Sequence, residues 1–260
     1  MEGISVVLPA YNEEKSIRET LDKLLKVMDK SSLDYEIIVI DDGSTDNTAS
    51  IIKVFSNVIL LQHKINRGYG ASLKKGIKAA KFEDIAITDS DGTYPNAMIP
   101  SLASTLRPDV DMIVGWRKGF AAKIPLVRRP AKWAIQKFAE FVAGYQIPDL
   151  NSGLRIFRRQ TILDNYRILP DGFSFSTTIT LLVASGGGNI VYEPIKYHHR
   201  VGASKFRPIK DTWGMITLIV RSVLLFSPLR VFVPLTLVCF LLATTVLALS
   251  FFYLDHIPDG

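Results

Sequence analysis

The sequence predicts an α/β fold tied to a membrane, and two observations carry that prediction. Short apolar, β-branched runs alternate with segments of helical periodicity, the pattern of a parallel sheet with right-handed crossovers. Near the far end, Val231 to Leu254 is a stretch of 24 residues without a charge. That is long enough to cross a hydrocarbon core of about 30 Å.

Ile4 to Leu8, closed by Pro9, reads as a buried strand, and Tyr11-Asn12-Glu13-Glu14 follows it as a polar loop. Ser16 to Met28 carries apolar residues at 17, 21, 24, 25 and 28, a helical spacing. Glu36 to Ile40 is the second strand, ending in Asp41-Asp42-Gly43-Ser44, with a helix expected over Thr48 to Phe55. Val58 to Gln62 is the third; Asn66-Arg67-Gly68-Tyr69-Gly70 leads into a helix from Ala71 to Ala80. Ile85 to Thr88 is the fourth and runs into Asp89-Ser90-Asp91, and Asp109 to Trp116 is a fifth that ends at Arg117.

Ala131 to Val142 is amphipathic and reads as a helix, and Asp149-Leu150-Asn151-Ser152-Gly153-Leu154-Arg155-Ile156-Phe157 follows a proline-containing turn. Gly172 to Ser185 mixes aromatic, hydroxyl and apolar residues before three glycines; Ile190 to Tyr192 begins another strand, which Ile195 to Arg200 extends. Lys210, Gly214, Thr217 and Arg221 recur at helical spacing among Trp213, Met215, Ile216, Ile219, Leu224 and Phe226, as in a helix lying in a membrane interface. The expected organisation is an α/β domain over 1–206, an amphipathic juxtamembrane helix over 207–227, a transmembrane helix over 228–254 and a tail over 255–260.

Formal net charge is +6, and the residues after Arg230 include Asp255 and Asp259 but no Lys or Arg, so residues 1 to 230 carry +8. Such a balance suits nucleic acid, anionic lipid or phosphorylated small molecules. The basic residues gather beside the apolar segment and no nucleic-acid recognition motif is present, so nucleic acid is not an expected partner. A single cysteine, Cys239, excludes a disulfide framework and a cysteine-ligated zinc site. Lys210, Arg221 and Arg230 precede the apolar segment and only acids follow it, which places the large domain in the cytoplasm. The first residues lack a basic stretch leading into an apolar one, so no cleaved signal peptide is expected.

The chemistry gathers in the loops. In an extended chain, side chains two residues apart point to one side, so Asp89 and Asp91 can offer oxygens to one hard cation, Mg²⁺ or Mn²⁺, which also binds a diphosphate. In a parallel sheet ligands bind beyond the carboxyl ends of the strands. Those ends here carry Tyr11 and Glu13, Asp41 and Asp42, Arg67 and Gly68, and Asp89 and Asp91. Two acid-free basic stretches follow: Arg117, Lys118, Lys123, Arg128, Arg129, Lys132 and Lys137, then Lys196, Arg200, Lys205, Arg207 and Lys210. The first stretch suits anionic lipid and substrate binding about equally.

Pro9-Ala10-Tyr11-Asn12-Glu13-Glu14, Asp41-Asp42-Gly43-Ser44, Asn66-Arg67-Gly68, Asp89-Ser90-Asp91, Asn151-Ser152-Gly153-Leu154-Arg155 and Arg200-Val201-Gly202-Ala203-Ser204-Lys205 together resemble family 2 glycosyltransferases. Within the family they are most similar to dolichol-phosphate mannose synthases and bacterial polyprenyl-phosphate glycosyltransferases, over about residues 4 to 254. The resemblance implies a GT-A fold around a mixed sheet. It also implies inverting transfer of one sugar from a nucleotide sugar, GDP-mannose or a UDP-hexose, to a polyprenyl phosphate, dolichyl or undecaprenyl.

By that resemblance Pro9, Tyr11, Glu13, Asp41 and Asp42, with Gly68 and Ser90, hold the nucleotide sugar, and Asp89 and Asp91 hold the cation on its diphosphate. Arg117, Arg129, Arg200 and Lys205 are the residues expected to hold the acceptor phosphate; Ser152 and Ser204 either donate to that phosphate or satisfy turns. Asp149 is either a base, an orienting group for the acceptor, or a turn residue. His198 and His199 face opposite sides of a strand and are left out of the site. Thr93 departs from the family, whose members in this branch often carry a glutamine there as a further metal ligand. The Gln-x-x-Arg-Trp pattern of processive polysaccharide synthases is absent, which favours one transfer per binding event. Relatives commonly have a second span after the first, a lone span allows a homo-oligomer, and the alternatives are a polysaccharide or protein acceptor, or a non-catalytic membrane-anchored nucleotide-binding module.

Overall fold

A computed structural model describes residues 3–118, 133, 136–137, 140–141, 144, 146–198 and 228–254. Among the described residues seven strands form one sheet in the order β3-β2-β1-β4-β6-β5-β7. They are β1 (Ile4–Ala10), β2 (Tyr35–Asp41), β3 (Val58–Gln62), β4 (Asp84–Ile87), β5 (Met112–Arg117), β6 (Arg155–Arg158) and β7 (Ile190–Ile195). The helices are α1 (Ile17–Met28), α2 (Thr48–Ile52), α3 (Tyr69–Ala79), α4 (Ile99–Ser104), α5 (Arg159–Asp164), α6 (Phe175–Ser185) and α7 (Pro228–Leu254), with a 3-10 turn at Asn96–Met98.

Strands β1 to β4 are parallel, and their register sets the site. Ala10 lies opposite Asp41, and Asp41 opposite Gln62. The carboxyl ends of β1, β2 and β3 are therefore level, and the loops that leave them start from one edge. β4 joins the same edge beside β1, with Ile87 opposite Val7.

Alternation along each strand divides the core. Val6, Leu8, Ile37 and Val39 pack with Ile17, Leu21 and Leu24 of α1 and with Ile99 and Leu102 of α4. Val7, Ile38 and Ile40 face the other way, onto Leu73 and Ile77 of α3, Ile162 of α5 and Phe175 and Ile179 of α6. Both faces are covered, which is why the central strands read as unbroken apolar runs rather than alternating ones.

The sheet is mixed, as the family resemblance implies, and not purely parallel as the strand-helix alternation suggests. β6 runs antiparallel to β4 and β5, whereas β7 returns parallel to β5. β6 was not expected, because a four-residue strand that begins with arginine carries no apolar signature. α6 was missed as well: Ser176, Thr177, Thr178 and Thr180 are weak helix formers, yet all are buried. β7 ends at Ile195, with Pro194 tolerated because this strand is at the sheet edge. Of residues 131–142, the described ones, Trp133, Gln136, Lys137, Glu140 and Phe141, are helical. In α7, Phe232–Phe251 has a mean hydropathy of 2.4 and no buried residue, so it is long and apolar enough to cross a membrane. The expected interface helix over 207–227, the boundary at 206 and the tail over 255–260 lie outside the described residues.

The loop before α6 docks on the start of α3. Ala71 N–H donates to the Asp171 carbonyl at 3.1 Å, and Lys74 Nζ reaches the Leu169 carbonyl at 3.0 Å and the Asp171 carboxylate. A Cβ added at Gly70 would lie 2.1 Å from the Pro170 carbonyl oxygen, a backbone atom that cannot step aside cheaply. Ala is favoured over Gly in a helix by up to about 1 kcal/mol, but overpacking costs roughly 1–3 kcal/mol. Gly70→Ala is therefore expected to lower stability, read as a lower urea midpoint with an unchanged m-value.

Candidate active site

Asp42, after β2, closes the loop that leaves β3. Its Oδ1 accepts the Arg67 N–H at 2.9 Å and lies 2.7 Å from His63 Nδ1, while Oδ2 accepts the Gly68 N–H at 2.8 Å. Gly68 is needed there: its φ of +104° is open to glycine, and a Cβ would lie 2.5 Å from the Asp171 carbonyl oxygen. Asp41 is held from both sides, by the Ser44 N–H at 3.1 Å and Gln62 Nε2 at 3.1 Å. The loop after β1 is sewn to the loop after β2: Asn12 N–H donates to Ser44 Oγ, Asn12 Oδ1 accepts the Thr45 N–H, and Glu13 N–H donates to Thr48 Oγ1. Asn12 holds a left-handed φ of 51°, which asparagine tolerates. The Glu13 carboxylate accepts from Ser16 Oγ at 3.0 Å, and Pro9 is buried in β1 with its carbonyl accepting from Ser90 Oγ at 2.8 Å.

Asp89 and Asp91 follow β4. Asp89 Oδ1 accepts the Tyr69 hydroxyl at 3.1 Å. Asp91, 5% exposed, has Oδ1 bound by the Thr93 hydroxyl at 2.6 Å and the Thr93 N–H at 3.1 Å. Thr93 itself is fully buried. Among the described residues no group of three or more His, Cys, Asp or Glu side chains could hold a metal. Two carboxylates suit a hard ion that keeps waters and takes its remaining ligands from a diphosphate, so the donor chemistry fits Mg²⁺ or Mn²⁺.

Arg117, at the end of β5, pairs with Asp149. Its Nε donates to Oδ2 at 2.7 Å and its Nη2 to Oδ1 at 2.8 Å, and both side chains are 8% exposed. The guanidinium also lies 5.3 Å from the Tyr197 ring centre. Burial acts to raise the Asp149 pKa, but the hydrogen bonds and charge of Arg117 outweigh it and hold the carboxyl below its ordinary value. Asp149 also accepts the Asn151 N–H, so it holds the Arg117 side chain and its own turn. Ser152 is fully buried and donates to the Gly115 carbonyl of β5 at 2.6 Å. Arg129, Arg200, Ser204 and Lys205 lie outside the described residues, as does His199; His198 N–H donates to the Thr93 carbonyl at 2.9 Å.

Several residues that hold this site were missed. Tyr94 OH accepts the Gly153 N–H at 2.6 Å and its ring meets Tyr197 edge-on at 5.2 Å. Burial, first among the causes, raises the pKa of Tyr69, Tyr94 and Tyr197, so each stays a neutral phenol. Fully buried Arg155 donates to the Ser152 carbonyl at 2.8 Å, the Leu150 carbonyl at 2.9 Å and Thr180 Oγ1 at 2.6 Å, fixing the 150–152 turn. The hydroxyls of α6 clamp the same set: Thr177 donates to Asn151 Oδ1 and Ser176 bonds Tyr69. Adjacency to Asp89-Ser90-Asp91 was a usable signal for Tyr94. Tyr197 and the α6 hydroxyls carried none.

Two outcomes follow from this geometry. A Cβ at Gly153 would lie 2.8 Å from Asp89 Oδ1 and 2.9 Å from Oδ2. Gly153→Ala should therefore displace Asp89 and cut turnover by ten-fold or more, on the order of what a misplacement near 1 Å costs, with a melting temperature close to wild type. Removing either member of the buried Arg117–Asp149 pair should cost about 3–5 kcal/mol. Because the folded pKa of Asp149 is depressed, its contribution is complete above the ordinary aspartate value of about 3.9 and is lost as pH falls through the lower folded value. The difference in urea midpoint between wild type and Asp149→Asn should be constant above pH about 5 and shrink below pH about 4.

Comparison with known proteins agrees with this architecture. Crystal structures of Mycobacterium tuberculosis glucosyl-3-phosphoglycerate synthase superpose with a TM-score of 0.64 in the complex with uridine diphosphate, at 21% identity, covering 85% of this chain and 80% of that one. That match establishes the GT-A-like fold. An uncharacterised protein of Methanocaldococcus jannaschii is 34% identical over 74% of this chain and 80% of its own length. Dolichyl-phosphate hexose transferase of Haloferax volcanii is 28% identical, covering 80% of this chain and 88% of its own. Dolichyl-phosphate beta-glucosyltransferase of Dictyostelium discoideum is 29% identical, with 84% and 73% covered. The model of the family described as glycosyl transferase family 2 matches residues 5–164, from β1 through α5, and the chain belongs to that family of glycosyltransferases.

Proposed function

We propose that this glycosyltransferase moves one sugar from a nucleotide diphosphate sugar to a polyprenyl phosphate at a membrane surface. The observation that carries the reading is the presence, in one chain, of the acidic sheet edge with its buried arginine and of α7, whose apolar stretch Phe232–Phe251 is long enough to span a bilayer. A lipid acceptor needs both. Relatives named dolichyl-phosphate and undecaprenyl-phosphate sugar transferases support the acceptor class.

In the reaction, a phosphate oxygen of the acceptor attacks the anomeric carbon. The bond from that carbon to the donor diphosphate breaks, and its electron pair leaves on the nucleoside diphosphate. A phosphate monoester is already mostly dianionic at neutral pH, so attack needs no strong base. Asp149 suits that scheme, since a carboxylate bound at both oxygens by Arg117 is a weak proton acceptor. Arg117, with Arg129, Arg200 and Lys205, positions the acceptor phosphate. Pro9, Tyr11, Glu13, Asp41, Asp42, Gly68 and Ser90 form the nucleotide side, Asp42 also by fixing the Arg67–Gly68 backbone. Mg²⁺ or Mn²⁺ held by Asp89 and Asp91 would neutralise charge on the departing diphosphate; crystals of the M. tuberculosis synthase with Mn²⁺ or Mg²⁺ and uridine diphosphate support that choice. α7 anchors the domain, and the charge asymmetry around it supports a cytoplasmic orientation.

The test offers purified protein a panel of GDP- and UDP-sugars, with polyprenyl phosphate, free sugar or peptide as acceptor. Nucleoside diphosphate release should require the lipid phosphate, vanish with a chelator, and fall at least about 100-fold in Asp91→Ala. Release with sugar or peptide acceptors but not with polyprenyl phosphate overturns the acceptor. Near-normal turnover of Asp91→Ala overturns the cation site.

A further inference from the structure

Thr93 stands where the family resemblance expects a metal ligand, but its geometry suits a different task. Its hydroxyl proton is committed to Asp91 Oδ1 at 2.6 Å, and its own N–H reaches the same oxygen at 3.1 Å. Two bonds from one residue to one oxygen fix the rotation of that carboxylate. The Tyr197 and Thr93 side chains also share a hydrogen bond. The result is a relay from Tyr197 through Thr93 to Asp91.

The backbone repeats the connection. The Thr93 carbonyl accepts the His198 N–H at 2.9 Å, so the segment leaving β7 is fastened to the loop that follows Asp91. Tyr197 in turn lies 5.3 Å from the Arg117 guanidinium, and Arg117 is bound to Asp149. Next to Thr93, Tyr94 accepts the Gly153 N–H, and Gly153 abuts the Asp89 carboxylate.

We propose that Thr93 is a positioning residue that orients Asp91 for its cation and ties that orientation, through Tyr197, to the arginine side of the site. This rests on the reading of Asp89 and Asp91 as a cation site. It predicts that the Tyr197 hydroxyl tunes cation affinity and that the Thr93 hydroxyl carries the effect.

The experiment is Mn²⁺ binding to the full chain in detergent, read from the electron paramagnetic resonance of free Mn²⁺. It compares wild type, Asp91→Ala, Thr93→Ser, Thr93→Val, Tyr197→Phe and the Thr93→Val/Tyr197→Phe double variant. Thr93→Val should weaken binding about ten-fold, as loss of a group that orients a ligand does, and Thr93→Ser should retain it. Tyr197→Phe should weaken binding roughly three-fold, one neutral hydrogen bond, and should add nothing in the Thr93→Val background. Wild-type affinity in Thr93→Val, or independent addition of the two effects, overturns the proposal while Asp91→Ala still reports on the cation site. Wild type that binds no Mn²⁺ removes the cation reading itself and the relay with it. If Thr93→Val does not fold, half-buried Tyr197 still decides, because unchanged affinity in Tyr197→Phe overturns the relay.

Discussion

The antiparallel insertion of β6 between β4 and β5 is the constraint on which the site depends. In a purely parallel sheet, residues preceding a strand lie at the edge opposite to residues following its neighbours. Because β6 is reversed against both neighbours, the segment before it, 149–153, arrives at the edge where β4 releases Asp89 and β5 ends in Arg117. One strand direction therefore brings Asp149 to Arg117 and Gly153 to Asp89. Arg155, the first residue of β6, then fixes the turn that makes both approaches.

The charges at this edge differ in how they are held, and the difference shows which are structural. Arg155 is fully buried and satisfied by carbonyl and hydroxyl oxygens, and burial lowers its pKa. A guanidinium so placed costs desolvation that only good geometry offsets, which is why its acceptors come from both the 150–152 turn and α6. Arg117 is bidentate on Asp149, where charge assistance makes each bond about twice as strong as a neutral one. Around both arginines stand neutral phenols, kept protonated by burial, which add no charge.

Much of this was legible in the residues because parallel strands advertise themselves. β1 to β4 and their loops are contiguous apolar runs that end in polar clusters, and each cluster is where the sequence pattern puts it. β6 and α6 were illegible for the same physical reason: each is stabilised by tertiary hydrogen bonds to the other, Arg155 to Thr180, so neither carries a strong local preference. Thr93 was noticed as a departure from the family, but not what it does, since a hydroxyl's partner is fixed by a rotamer and not by sequence. The tyrosines were missed because a phenol in a core and one in a site look alike until their partners are known.

The relay at Thr93 also bears on the difficulty any phosphate acceptor presents. Donor diphosphate and acceptor phosphate repel, and a pair of unit charges at about 4 Å costs roughly 4 kcal/mol at an effective dielectric constant near 20. Cationic side chains must be in place on the acceptor side before the two anions approach, and a cation on the donor side. Sites arranged independently would each relax in the absence of the other. A chain from Asp91 to Thr93 to Tyr197, with the Arg117 guanidinium 5.3 Å from the centre of that ring, makes the two arrangements mutually dependent instead. Cooperative hydrogen bonding in a low-dielectric interior strengthens such a chain, and the 2.6 Å from Thr93 to Asp91 is the length of a charge-assisted hydroxyl–carboxylate bond.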